Sequence, residues 1–185
     1  EVGFTLGELL EVKVYEFKAE IETISTAATQ ERVLEELLAK VENAWTPLEF
    51  VVSAYKEQKD VYILGGVDDV YAVLEETQVL VQTILGSRFV GPLQKRVDEW
   101  DAKLRLFSDT LDEWLAVQRG WMYLESIFKA QDIQRQLPTE YKQFDQVNRM
   151  WLDVMRKTAH DPTAIKCGTT PKLLESFEKA NGILD

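Results

Sequence analysis

The chain is poor in the residues that do chemistry. Its 185 residues include one cysteine and one histidine. A lone thiol, Cys167, excludes an intrachain disulfide and a cysteine metal cluster, and it fits a reducing, intracellular setting. Basic residues are also scarce, 21 against 32 acids, for a net charge of −11. The imbalance lies toward the front: residues 1–60 hold 13 acids and 6 bases, residues 131–185 hold 8 of each. Such a surface repels phosphate backbones and anionic bilayers, so neither nucleic acid nor membrane is an expected partner. Docking on any other acidic polymer is not expected either. No apolar run exceeds a few residues, so nothing reads as a membrane span. No signal peptide is recognisable, and a start at Glu1 without Met reads as a piece of a larger protein.

What the chain does have is apolar residues in helical register. They make up 45% of the sequence, enough for a buried core. Leu93, Val97, Trp100, Leu104, Phe107, Leu111, Trp114 and Trp121 follow alternating steps of four and three, with polar Gln118 between the last two. That is the seam of a helix packed on other helices. Pro92 suits its first turn, where a missing N–H costs nothing. At about 1.5 Å per residue, a helix over 92–128 is roughly 55 Å long, against roughly 40 Å for a compact ball of this mass. The chain therefore reads as a rod, suited to spacing, scaffolding or leverage. The five tryptophans read as large core fillers.

Other elements fall around this helix. Residues 8–27 read as an imperfect helix through Leu9, Val12, Tyr15 or Phe17, Ala19 and Ile24. Thr29 is positioned to cap a second helix with the stripe Val33, Leu34, Leu37, Leu38, Val41 and Trp45. That helix should end near Trp45, because Pro47 favours extended geometry at Thr46. The period then becomes two, with Leu48, Phe50, Val52 and Ala54 on one face. Lys56-Glu57-Gln58-Lys59-Asp60 is a polar turn before Val61-Tyr62-Ile63-Leu64, giving a hairpin over about 48–64. Asp68 or Asp69 should cap a helix carrying Val70, Val73, Leu74, Thr77, Leu80, Val81 and Ile84. After the long helix, Asp132 to Pro138 reads as a connector. Thr139 starts a helix bearing Tyr141, Phe144, Val147, Trp151, Val154 and Met155, broken near His160-Asp161-Pro162. Thr170-Pro171 opens the last helix, with Leu173, Leu174, Phe177 and Ala180, where Asn181-Gly182 is an interruption or an end. The expected fold is mainly α: an elongated multi-helix bundle or arch with one long helix and one small hairpin, divisible into sub-bundles 1–91 and 92–185.

No catalytic, cofactor-binding or metal residue is expected. Gly65-Gly66 before Asp68-Asp69 lacks the Gly-Lys-Ser/Thr of a phosphate loop and places acids where an anion would sit. A di-iron bundle needs Glu three residues before each histidine, and position 157 is Lys. His160 then reads as an exposed helix-end residue and Cys167 as an unreactive loop thiol. Glu75-Glu76 and Asp98-Glu99 read as charged helix faces rather than acid–base pairs. Trp100, Trp114 and Trp121, spaced by multiples of seven, read as core seam rather than an exposed strip for a partner.

The stretch from Trp114 to Phe128 does more than fit a period. Trp114, Gln118, Trp121, Tyr123-Leu124-Glu125 and Ile127-Phe128 resemble the W-x-x-x-Q-x-x-W-x-Y-L-E-x-I-F signature of dynein heavy chain linkers. Asp132-Ile133, Leu137-Pro138, Glu140 and Phe144 resemble the D-I … L-P-x-E-x-x-x-F that follows it, and Trp151 with Met155 the next W-x-x-x-M step. Trp45, Asp68-Asp69 and Ser87-Arg88-Phe89 also fit, so the resemblance covers most of the chain. The Tyr123-Leu124-Glu125 wording and the Met155 step are similar to the axonemal rather than the cytoplasmic type.

The resemblance implies a tail-proximal segment, residues 1–185, of the helical arch that lies across a hexameric ATPase ring. In that family the arch joins the ring to the tail, and bends and straightens as nucleotide changes. The F-P-R-F segment near the ring-proximal half is missing here. The implied function is a non-catalytic lever of an axonemal motor, in the cytoskeleton of the cilium or flagellum. Its partners would be the ring and tail of its own heavy chain and, through the parent, other dynein subunits. Direct microtubule binding is not implied, and ATP and Mg²⁺ would belong to the parent motor outside this segment. The alternative is a passive helical scaffold or tether of a cytoskeletal protein, similar in kind to a spectrin-type rod, though three-helix repeats are missing. An enzyme is the third class, and the search for nucleophile, base and metal ligands leaves it without residues.

Overall fold

The computed structural model describes residues 5–11, 13–56 and 58–185. It is a helical bundle with one antiparallel hairpin. Its helices are α1 (Leu6–Glu11), α2 (Lys18–Trp45), α3 (Asp68–Leu85), α4 (Gln94–Phe128), α5 (Gln131–Gln136), α6 (Pro138–His160), α7 (Ala164–Gly168) and α8 (Leu173–Leu184). Strands β1 (Val52–Ala54) and β2 (Tyr62–Leu64) lie between α2 and α3. The expected long helix is present, entered through a 3₁₀ turn at Gly91–Leu93 that contains Pro92. Its 35 residues span roughly 52 Å at about 1.5 Å each. The chain exposes 12061 Å², against about 9,100 Å² for a compact monomer of its mass. The molecule is extended, as the length of α4 requires.

α4 is the spine, with α3, α5, α6, α7 and α8 all packed on it. Its seam buries Val97, Leu104, Phe107, Leu111, Trp114, Val117, Trp121 and Phe128. α2 packs mainly on α3 and also touches the spine directly, through Trp45 on Phe107 and Glu42 beside Arg96 and Trp100. Two short helix features depend on missing side chains. A Cβ on Gly120 would lie 3.1 Å from Leu184 Cδ1, so α8 packs closely across α4 there. A Cβ on Gly168 would collide with the Phe107 ring, so α7 lies directly on the spine.

Several local expectations are corrected. Residues 8–27 are not one helix: α1 is followed by a 3₁₀ turn at Val14–Phe17, and Val12 lies outside the described residues. α2 then runs unbroken through Thr29, which caps nothing; its hydroxyl donates to the Ser25 carbonyl at 2.8 Å. A threonine hydroxyl bonded back to its own preceding turn is satisfied without starting a new helix, at a slight cost to the one it sits in. Thr46 keeps helical dihedrals, φ −60° and ψ −47°, despite Pro47, and its hydroxyl donates to Glu42 O. Val33 belongs to the solvent face, and burial in α2 begins only at Leu34. Asp68 and Asp69 occupy the first turn of α3 rather than its cap, where their charges still favour the helix dipole. Pro138, not Thr139, opens α6, and the expected connector before it contains α5. α7 was not legible as a helix, and Lys172 in the left-handed region (φ 64°) delays α8 beyond Thr170-Pro171. Asn181-Gly182 lies inside α8, where the Asn181 amide donates to Glu113 on α4.

The hairpin is shorter than 48–64. Val52 pairs with Leu64, Ser53 with Ile63 and Ala54 with Tyr62. Glu49 instead bridges Thr163: Phe50 N–H donates to Pro162 O at 2.8 Å, and Ala164 N–H to Leu48 O at 2.9 Å. The expected inward face breaks at its end, with Ala54 exposed and Tyr55 buried.

Candidate functional site

The features that distinguish this chain are collected along α4. Alternating four and three steps place Trp114 and Trp121 on one line of the helix, and both are buried. Around them the aromatics form three clusters in succession along the helix. Trp45 meets Phe107 edge-on at 4.7 Å, Phe50 touches Phe107 and Trp114, and Trp114 touches Phe177 at 5.1 Å. Further along, Trp121 contacts Tyr55 at 5.0 Å and stacks with Trp151 at 5.3 Å, and Phe128 stacks with Phe144 at 5.2 Å. Between them the contacts join α4 to α2, α6, α8 and the loop residues Phe50 and Tyr55, so the aromatics tie the bundle to its spine. Trp100 departs from the expectation. It is only half-buried, its Nε1 donates to Glu42 on α2 at 3.3 Å, and Lys103 lies over its ring.

The buried tryptophans differ in how their N–H groups are met. Trp45 Nε1 donates to Thr77 Oγ1, whose hydroxyl is itself bonded to the Val73 carbonyl. Trp121 Nε1 donates to Asn148 at 2.9 Å. Trp114 and Trp151 have no partner for theirs among the described residues.

Polar side chains of the same helix hold the hairpin. In β2, Leu64 sits opposite Val52 at a position whose N–H and C=O point away from β1. Gln118 answers both: its Oε1 accepts from Leu64 N at 2.8 Å and its Nε2 donates to Leu64 O at 3.0 Å. Glu125 accepts from Lys56 Nζ at 3.0 Å and Gln58 Nε2 at 3.2 Å in the turn of the hairpin. Burial alone would push the Glu125 carboxyl up. The hydrogen bonds and charge of that cluster outweigh it and hold the group below its ordinary 4.5. Higher on the spine, Tyr71 of α3 donates to Asp112 at 2.7 Å. Burial first, then that bond, push the Tyr71 hydroxyl up to about 12.

The residues weighed for chemistry are dispersed. His160 ends α6 and is exposed, as expected from its sequence context. Cys167 lies in α7 with Sγ bonded to Asp161 O, and burial raises its thiol above the ordinary value. A raised thiol is a poor nucleophile. The Asp161 carboxyl is held low by the Thr163 hydroxyl, then Lys166 and the Thr163 N–H, which makes it a turn-stabilising group. Glu75-Glu76 and Asp98-Glu99 face solvent. Among the described residues no cluster of three His, Cys, Asp or Glu side chains gathers to hold a metal. No helix among them is long and apolar enough to cross a membrane.

Sequence reasoning placed Trp114 and Trp121 in the core and left Gln118 as a polar gap in the seam. The signal that could have found its role is that gap itself. A long amide flanked by core tryptophans must reach a buried backbone group. Glu125 and Asn181 gave no comparable signal, since their partners lie 67 and 68 residues away.

The fold is a helical bundle on a long tryptophan-lined spine, with a hairpin bound to its side. The chain belongs to the dynein heavy chain family, matching its N-terminal region 2 over residues 1–185. It is 48% identical over 185 residues to dynein axonemal heavy chain 6 of Homo sapiens, covering all of this chain and 4% of that protein. It is 36% identical over 183 residues to dynein axonemal heavy chain 12 of Rattus norvegicus, covering 99% and 6%. It is 34% identical over 180 residues to dynein axonemal heavy chain 10 of Homo sapiens, covering 96% and 4%. The chain thus spans only a small part of the length of these relatives.

Proposed function

We propose that this segment is a non-catalytic lever in the linker of an axonemal dynein motor of the cilium or flagellum, relaying ring movement to the tail. The observation that carries this reading is the spine. One helix of 35 residues receives five other helices, and its buried aromatics join it to α2, α6, α8 and the loop before the hairpin. Close-packed interiors resist compression, so a load applied at one end of such a helix is carried to the other. The ring and the tail of the same heavy chain are the partners this reading requires, with other subunits joined through the parent. ATP and Mg²⁺ act in the ring, outside this segment.

A proline in α4 of the full motor tests the reading. Asp109 is an exposed mid-helix position with no side-chain hydrogen bond among the described residues, whereas Asp112 also holds Tyr71. Asp109→Pro should kink the spine at about 3 kcal/mol or more. Gliding velocity should then fall several-fold while basal ATP turnover is retained. Unchanged velocity would instead favour the passive scaffold, and equal loss of both would indicate misfolding of the motor.

A further inference from the structure

We infer that the leading arm of the chain, α1 and residues 18–31 of α2, is the seat of a helix from the same heavy chain, contributed by residues that precede Glu1. That helix carries an apolar seam flanked by lysine or arginine. The arm exposes six large apolar side chains: Leu6, Leu10, Tyr15, Phe17, Ile21 and Ile24. A run of exposed apolar groups of this kind marks an interaction surface. Within α2 the set has helical order, because exposed Ile21, Ile24 and Ala28 follow steps of three and four. At about 100° per residue, this stripe lies roughly 100° round the helix from the buried stripe of Leu34, Leu38, Val41 and Trp45. The body of the segment therefore does not cover it by prolonging the interface it already has. A further helix must approach from another side.

The place of the arm selects the occupant. Glu42 of α2 meets Arg96 and Trp100 near the start of α4, and Trp45 meets Phe107 further on. The two helices thus run in the same direction, and the arm projects past the start of the spine. The other end of the chain is remote: Leu184 packs at Gly120, roughly 39 Å along α4 from Gln94 at about 1.5 Å per residue. Heavy-chain sequence after Asp185 leaves there, whereas sequence before Glu1 enters at the arm itself. The segment spans a small part of the length of its relatives and matches the second N-terminal region of the family, so sequence ahead of it is available. Being tethered, that sequence meets the arm at an effective concentration on the order of millimolar, an advantage that a free protein lacks. Charge disfavours a second copy of the arm as occupant. Residues 5–30 carry five acids and two lysines. Both lysines are paired, Lys13 with Glu16 and Lys18 with Glu22. Two such arms face to face would set acid against acid, whereas lysine or arginine beside the seam of the occupant answers it. This surface does not depend on whether the segment works as a lever.

Photocrosslinking in the full-length heavy chain with its native partners tests it. p-Benzoylphenylalanine at exposed Ala28 should give an intramolecular product, of unchanged mass on a denaturing gel. Its captured peptide should precede Glu1 and set Lys or Arg beside apolar residues. The same probe at exposed Val79 on α3 serves as the background. Ile21→Asp with Ile24→Asp should cut the product roughly tenfold, while Ile21→Leu with Ile24→Leu keeps it. Both positions are exposed, so neither pair disturbs the packed core. Glu11→Lys with Glu20→Lys should reduce the product several-fold; neither acid forms a salt bridge among the described residues. The proposal is overturned by a yield no greater than at position 79, or by indifference to the aspartate pair. It is equally overturned if the captured partner is a separate protein, a second heavy chain, a heavy-chain peptide that follows Asp185, or an acidic peptide.

Discussion

Single residues along the spine differ in what they bear, and the differences are measurable. Trp114 has no exposed surface and touches both Phe50 and Phe177. Trp114→Ala should cost about 3–5 kcal/mol in a denaturant titration. Trp100 stands at a sequence position of the same kind but is half-exposed, so Trp100→Ala should cost well under half of that. Similar losses at both would mean that Trp100 is covered by another part of the protein. The sequence could not separate them, because a seven-residue spacing fixes the side of a helix but not where the neighbouring helix ends. Gly168 is a sharper case. Its flat contact with Phe107 leaves no room for a methyl group, so Gly168→Ala should destabilise by about 1–3 kcal/mol, the range for overpacked sites. A neutral result in the same titration would show that α7 can lift from the spine. Nothing in the sequence marked this glycine, since the ring that excludes a side chain lies far away along the chain.

At the scale of elements, legibility followed the strength of the local pattern. α4, α3 and the apolar stripe of α6 were read because long periodic segments overdetermine a helix. α5 and α7 have six and five residues and no period to read. The break expected at Thr29 failed because a hydroxyl can bond backward into its own helix as readily as it can cap the next one. The hairpin was placed correctly but drawn too long. Leu48 and Phe50 alternate as in a strand yet pair with Pro162 and Ala164, a contact that only the tertiary fold supplies. The turn of that hairpin rests on Glu125, which leads to a pH expectation. Its pKa lies below the ordinary value in the folded chain. The contribution of this cluster is therefore fully present above about pH 4.5 and is lost as pH falls through the folded value. Thermal melts between about pH 6 and 3 should show a loss of stability that Glu125→Gln partly abolishes. An unchanged profile in that variant would assign the acid sensitivity to other carboxylates.

Over the whole molecule, the packed body and the leading arm stand apart. Residues of α2 from Leu34 onward join the core, whereas Phe17, Ile21 and Ile24 are exposed on its front half. Local stability follows buried contacts. In hydrogen exchange of this segment, amides of residues 18–31 should exchange orders of magnitude faster than those of 104–121. Equal protection would mean that the arm folds back or self-associates. The extended outline was legible from one number, the length of the long seam. The arrangement around it was not, because which helices share a spine is decided by contacts between residues far apart in sequence.

The grip of Gln118 on Leu64 has a consequence for how motion could be registered. An isolated two-stranded ribbon ends in a free edge, and here one side-chain amide stands in for the peptide of a third strand. Because it meets both the N–H and the C=O of a single residue, it fixes phase as well as proximity. The ribbon cannot shuttle by one dipeptide without presenting a different residue to the amide, and the helix cannot turn about its own axis without carrying the ribbon round. Hairpin and helix are keyed together like a shaft and its cam. Because Glu125 of the same shaft also holds the turn, a twist would carry the ribbon along its whole length, base and tip together.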